Sequence, residues 1–182
     1  MGAVTAITEQ ASGARSAAVV PETPIGTVWV EATDAGVRRV HLPGDLSRRS
    51  TNVSIRTQAI AADAAAQLDE YLRGEREEFE VGLDLTSVSA GHRRVLETLR
   101  EVAPFGQTLT YGELALQTGV ADPREIGVMM SRNPVPLVVP CHRVVAADGL
   151  GGYGGGLELK RRLLELEGVL PPRLDLGDSS DR

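Results

Sequence analysis

Residues 134–145 read PVPLVVPCHRVV and hold the only cysteine of the 182-residue chain. Each proline disfavours a helical conformation at the residue before it, so this apolar run is expected to be extended rather than helical. Cys141 closes the run and is followed at once by His142 and Arg143. A lone thiol is most often inert core filler, whereas a thiol served by a histidine can ionise and act as a nucleophile. The residues alone leave both readings open. Neighbouring side chains on an extended segment point to opposite faces, so His142 would reach the thiol through a bound water or after a backbone turn.

On the N-terminal side of this stretch, Val95, Leu96, Leu99 and Val102 mark an amphipathic helix closed by Pro104 and Gly106. Thr110 is positioned to cap a short helix through YGELALQT, and Gly119 breaks it. Asp122-Pro123 then opens another helix, with Asp as its cap and Pro at its first position, and Asn133-Pro134 ends it. Two short helices joined by a Gly-containing turn form a helix-turn-helix pattern, which many proteins that touch no DNA also share. On the C-terminal side, GLGGYGGG (149–156) reads as a glycine-rich loop. LELKRRLLELEG (157–168) reads as a helix with Leu159, Leu163 and Leu166 inward.

The first half has a different rhythm. PETPIGTVWVEATDAGVRRVHL (21–42) reads as a hairpin: Val28 and Val30 alternate with polar neighbours, Asp34-Ala35-Gly36 turns, and Val37, Val40 and Leu42 resume. From Gln58 to Leu72, the residues Ile60, Ala64, Leu68, Tyr71 and Leu72 keep helical spacing, with Gly74 as the stop. EEFEVGLDL (77–85) alternates and is expected as a strand. The chain therefore divides into a disordered lead-in (1–19), a small α/β domain (20–88), a mainly helical domain (89–170) and a flexible tail (171–182).

Composition limits the function classes. No apolar run approaches the ~20 residues of a membrane helix. MGAVTAITEQASGARSAAVV lacks the basic start and apolar core of a secretion signal, so the cytoplasm is the expected compartment. One cysteine and the scattered His41, His92 and His142 offer neither an internal disulfide nor a structural metal site. The net charge of −6 argues by itself against nucleic acid as a partner. Its distribution is uneven. Residues 1–90 carry 8 basic and 13 acidic groups, net −5, and residues 91–182 carry 11 and 12, net −1.

Residues 106–168 resemble the C-terminal domain of the O6-alkylguanine-DNA alkyltransferases. The resemblance rests on GQTLTYGELA (106–115), NPVPLVVPCHRVV (133–145) and GGYGGGLELKRRLLELEG (151–168), in that order and at similar spacing. TPIG (23–26) before a hairpin also resembles the family's variable N-terminal domain. The resemblance implies a ribonuclease-H-like α/β domain, with a small antiparallel sheet and a helix, followed by a winged helix-turn-helix-like domain. It further implies removal of an alkyl group from O6 of guanine, and by extension from O4 of thymine, in duplex DNA. The alkyl group would pass irreversibly to the protein's own cysteine, one turnover per molecule.

Residue by residue, Cys141 matches the acceptor, and His142 the histidine that takes the thiol proton through a water. Glu167 matches the carboxylate that orients this histidine, and Asn133 the residue that pins the helix end against the active-site segment. Arg124 matches the finger that fills the space left by a turned-out base, and it shares the DNA-facing helix with Gly127. Tyr111 matches the tyrosine that crowds the 3′ phosphate and helps hold the base. Tyr153 matches the stacking wall of the guanine pocket, and the Gly154 N–H matches the donor to O6. The carbonyls of Cys141 and Val144 match acceptors for the guanine amino group, while Met130 and Pro136 would line the pocket. The implied partner is alkylated double-stranded DNA, entered from the minor groove by a monomer. No cofactor, metal or membrane is implied, and cooperativity along DNA is left open. Where the family carries small residues beside the finger, this chain has Glu125, Val128 and Met129.

Overall fold

The computed structural model describes residues 6–7, 16–44 and 54–173. Alternating valines build its first layer. Strands β1 (Ala6–Ile7), β2 (Ser16–Thr23), β3 (Gly26–Thr33) and β4 (Gly36–His41) form one antiparallel sheet in that order. Val28 and Val30 are fully buried on one face, because a period of two puts alternate residues on the same side. The turn at Asp34-Ala35 delivers Gly36 at φ 140°. A Cβ there would lie 2.4 Å from the Gly82 carbonyl oxygen, so only glycine lets the two backbones approach.

Helix α1 (Ile55–Leu72) covers this sheet. It begins three residues before the expected Gln58, because Ser54 and Thr57 form a reciprocal capping box. Ala61, Ala64, Ala65 and Leu68 form its buried face, and small side chains let the helix lie close to the strands. Gly74, at φ 75°, follows its end.

The second half comprises α2 (Ala90–Val102), β5 (Leu109–Thr110), α3 (Tyr111–Thr118), α4 (Pro123–Ser131), a 3₁₀ turn (Cys141–Arg143), β6 (Val144–Val145) and α5 (Leu157–Leu166). Thr110 caps α3 and Asp122 caps α4, while Gly119 takes the left-handed conformation between the two helices. Strands β5 and β6 pair in parallel, Leu109 with Val144 and Thr110 with Val145. This bond ties the start of the helix pair to the residues just after Cys141.

Three expectations are corrected. Strand β2 begins at Ser16 and pairs with β3, so the end of the expected disordered lead-in (1–19) is ordered sheet. Residues 77–85 form no strand beyond a single parallel bridge from Leu83 to Val37. Two of their carbonyls go elsewhere: Arg100 donates to those of Phe79 and Val81. Nor is PVPLVVP extended throughout. It folds into a tight loop in which the Val139 N–H bonds the Val135 carbonyl and Leu137 sits at φ 73°. Proline excludes a helix but not a turn, and a non-glycine residue in this region persists only where its surroundings hold it. The tail beyond residue 173 lies outside the described residues.

Candidate active site

Asn133 organises the loop that carries the thiol. Its side-chain amide donates to the Val139 carbonyl at 2.9 Å, and its oxygen accepts from the Val135 N–H at 3.0 Å. Both ends of the loop are thereby fixed by one side chain. The Cys141 N–H in turn bonds the Val139 carbonyl at 2.8 Å, and Cys141–Arg143 continue as a 3₁₀ turn. That turn resolves the problem of adjacent side chains: Cys141 faces a cavity, while His142 points inward and is fully buried.

Behind the turn lies a dense polar cluster. His142 Nε2 stands 2.7 Å from Glu167 Oε1. Burial lowers the histidine's pKa, and Arg143 and Lys160 push it the same way, so the ring is neutral despite the carboxylate beside it. Burial alone would raise the pKa of Glu167, but hydrogen bonds and charge from His142 and Arg143 outweigh it and hold the carboxyl well below its usual range. An ionised carboxylate only accepts, so Nε2 carries the proton and Nδ1 carries the lone pair. Nδ1 has no protein hydrogen-bond partner.

Arg143 grips the same carboxylate as a fork, with Nε 2.9 Å from Oε2 and Nη2 2.9 Å from Oε1. Its Nη1 donates to the Ala103 carbonyl. Tyr71, which arrives from α1, donates its hydroxyl to Glu167 Oε1 at 2.5 Å. Lys160, on α5, is fully buried and donates to the carbonyls of Val144, Leu150 and Gly152. It thus fastens the glycine-rich loop to the active-site strand. Burial lowers the Lys160 pKa to about 8. Burial also raises the Cys141 thiol, against which the Asn133 side chain, the Lys160 charge and nearby backbone N–H groups favour the thiolate.

Two cavities meet at Cys141. The first, about 400 Å³, lies between α4 and the glycine-rich loop, and Tyr111, Arg124, Gly127, Met130, Tyr153 and Gly154 help line it. The second, about 620 Å³, runs toward β4, with Pro136 and Asn133 on its wall. Tyr111 donates to the Gly152 carbonyl at 3.1 Å. Gly151, at φ 65°, allows this, because a Cβ there would fall 2.8 Å from the Tyr111 ring. The Tyr153 hydroxyl is buried without a protein partner, and burial holds its pKa well above the usual value.

Val144 departs from its expected place. It is fully buried and lines neither cavity, and its carbonyl accepts from Lys160 Nζ at 2.6 Å. The Cys141 carbonyl likewise already accepts the Val144 N–H. On α4, Ile126 and Met130 turn inward, while Arg124, Glu125 and Val128 stand exposed. Tyr71, Arg143 and Lys160 carry no distinct signal in the sequence: Tyr71 shares the apolar spacing of α1, and the two cations are adjacent to other charges or polar residues. No group of three or more His, Cys, Asp or Glu among the described residues could hold a metal ion. No helix among them is long and apolar enough to cross a membrane.

Fold and site together define an α/β protein whose helix pair frames a cavity ending on a buried Cys–His–Glu constellation. A family profile described as "6-O-methylguanine DNA methyltransferase, DNA binding domain" matches residues 90–169. The methylated-DNA–protein-cysteine methyltransferase of Methanopyrus kandleri is 53% identical over 106 residues, 58% of this chain and 79% of that protein. That of Sulfolobus acidocaldarius is 37% identical over 150 residues, 82% of this chain and 92% of that protein. The crystal structure of Mycobacterium tuberculosis OGT in complex with DNA is similar with a TM-score of 0.72 at 36% identity, covering 82% of this chain and 90% of that one. The chain belongs to the methylated-DNA–protein-cysteine methyltransferase family.

Proposed function

We propose that this protein repairs O6-alkylguanine, and by extension O4-alkylthymine, in double-stranded DNA by moving the alkyl group irreversibly onto Cys141. The observation that carries this reading is the thiol at the cavity wall, one residue from a fully buried His142 held at 2.7 Å by Glu167. Neutral His142 accepts the thiol proton at Nδ1 through a bridging water, and Glu167 stabilises the imidazolium that results. The thiolate attacks the alkyl carbon, the carbon–O6 bond breaks, and its electron pair leaves on guanine. The Gly154 N–H donates to O6, and the departing guanine anion takes up a proton. The thioether does not hydrolyse, so Cys141 is consumed and each molecule acts once.

The target oxygen lies within the base stack, so the nucleotide must be turned out of the duplex. Helix α4 would enter the minor groove, Arg124 would occupy the vacated space, and Tyr111 would hold the turned-out nucleotide. Stacking on Tyr153 would contribute roughly 1–3 kcal/mol. Met130 and Pro136 border the space for the alkyl group. The DNA complex of the tuberculosis protein supports DNA as the partner. We read the sheet and α1, through residue 88 and including β2 from Ser16, as a ribonuclease-H-like domain and 89–170 as a winged helix-turn-helix domain, acting in the cytoplasm as a monomer without cofactor or metal. Incubation with an O6-methylguanine duplex should place one methyl group per molecule on Cys141, located by mass spectrometry, and none on Cys141→Ser. Repeated turnover, or no transfer at all, overturns the reading.

A further inference from the structure

The N-terminal half places a tyrosine hydroxyl on the buried cluster behind Cys141. Tyr71 lies in the last turn of α1 and is fully buried, with its ring against Phe79 at 5.1 Å and edge-on to Phe105 at 6.2 Å. Its hydroxyl is 2.5 Å from Glu167 Oε1 and 3.3 Å from His142 Nε2. Packing alone would be met by phenylalanine. A buried hydroxyl aimed at a carboxylate that already serves His142 and Arg143 needs another reason.

We propose that Tyr71 is a positioning residue: its hydroxyl, supplied by the N-terminal domain, fixes Glu167 and limits how strongly that carboxylate draws a proton onto His142. The proposal rests on the reading that His142 must be neutral to take the Cys141 proton. Every donor on Oε1 spreads the carboxylate charge and weakens its pull on the imidazole, so Tyr71 keeps His142 available as a base at lower pH. The charged and titratable groups facing His142 are Glu167, Arg143, Lys160, Tyr71 and Cys141. Arg143 and Lys160 already disfavour its protonation, and Glu167 alone favours it. Tyr71 acts on that one opposing group. Its phenol pKa is raised well above the ordinary value, first by burial and then by the Glu167 charge, so it remains a donor across the whole working range.

The test is the single-turnover rate of methyl transfer from an O6-methylguanine duplex, measured against pH for the full chain and for Tyr71→Phe. Loss of the hydroxyl leaves Glu167 more basic, His142 easier to protonate, and the acid limb of the profile about one pH unit higher, with the plateau retained. 3-Fluorotyrosine installed at position 71, a stronger donor of nearly the same shape, should move the limb the other way. A purely structural tyrosine predicts a uniform loss at every pH and no displacement of the limb, and that result overturns the proposal. His142 can also be titrated directly by NMR in ¹³C-histidine-labelled protein without DNA, its signal assigned by the His142→Asn variant. An unmoved His142 pKa in Tyr71→Phe overturns the proposal even if neither protein transfers a methyl group. Absence of transfer by the wild-type protein would instead overturn the function proposed above.

Discussion

Glu167 and Glu125 are carboxylates of the same C-terminal half, and they stand in opposite surroundings. Glu167 is buried and accepts from His142, Arg143 and Tyr71, so its position is over-determined by three donors from two parts of the chain, the 3₁₀ turn and α1. Glu125 lies on the exposed face of α4 and makes no side-chain hydrogen bond among the described residues. The floor of the site has one arrangement, maintained by charges that cannot be left unpaired out of water. The outer helix is free to vary, because exposed side chains there cost little to change. On the function proposed above, chemistry and DNA contact fall in regions with different tolerance for substitution.

The sharpest way to break this contrast is Glu167→Gln. It leaves Arg143 buried without its counter-charge, and denaturant unfolding should show a loss of about 3–5 kcal/mol. Methyl transfer should also slow, because the imidazolium loses its anion. If stability and rate both stay within error of wild type, the floor is not organised by charge. The acid side of the stability curve reads the same cluster reversibly. His142 is neutral when folded, and its pKa is depressed below the unfolded value of about 6.5, so its contribution is full above that pH and declines below it. The contribution of Glu167, also depressed, is full above pH ~4.3 and is lost as pH falls toward 2. Two successive losses on acidification are expected in denaturant titrations. Glu167→Gln should shrink the lower one and leave the share of Asp84, whose carboxyl is, against burial, also held down to about 2 by hydrogen bonds from Thr86 and Thr33 and by Arg38.

On the outer helix the effects should be smaller and confined to DNA. Arg124→Ala should slow transfer from duplex DNA roughly tenfold or more, since support for the turned-out base is worth a few kcal/mol. Reaction with a free O6-alkylguanine base and the unfolding midpoint should both stay unchanged. Glu125→Ala should tighten DNA binding a few-fold at low salt, as removal of one like charge facing phosphates does, and the gain should fade as salt rises. Titration by fluorescence anisotropy at two salt concentrations would check it. An unchanged affinity would mean that Glu125 points away from the DNA.

Much of the scaffold was legible because it depends on local chemistry. Thr110, Asp122 and Gly119 mark helix ends through bonds to their own near neighbours, and the valines of the hairpin follow the period of a strand. Cys141, His142 and Glu167 were legible through resemblance rather than spacing, since 25 residues separate the histidine from its carboxylate. Where local reading failed, a distant group had intervened. Arg100 captured the carbonyls of Phe79 and Val81 in the strand expected at 77–85.

PVPLVVPCHRVV by itself determined that no α-helix would run through its prolines and that a thiol and an imidazole would be neighbours. Proline geometry and covalent adjacency are local, and no later packing can undo them. Only the tertiary structure decided that the stretch turns rather than extends, and that thiol and imidazole face different surroundings. The same holds for the phenol of Tyr71, 71 residues before His142, which becomes part of its environment. Those outcomes depend on which polar groups burial forces together, and a buried donor or acceptor takes its partner from wherever the fold supplies one.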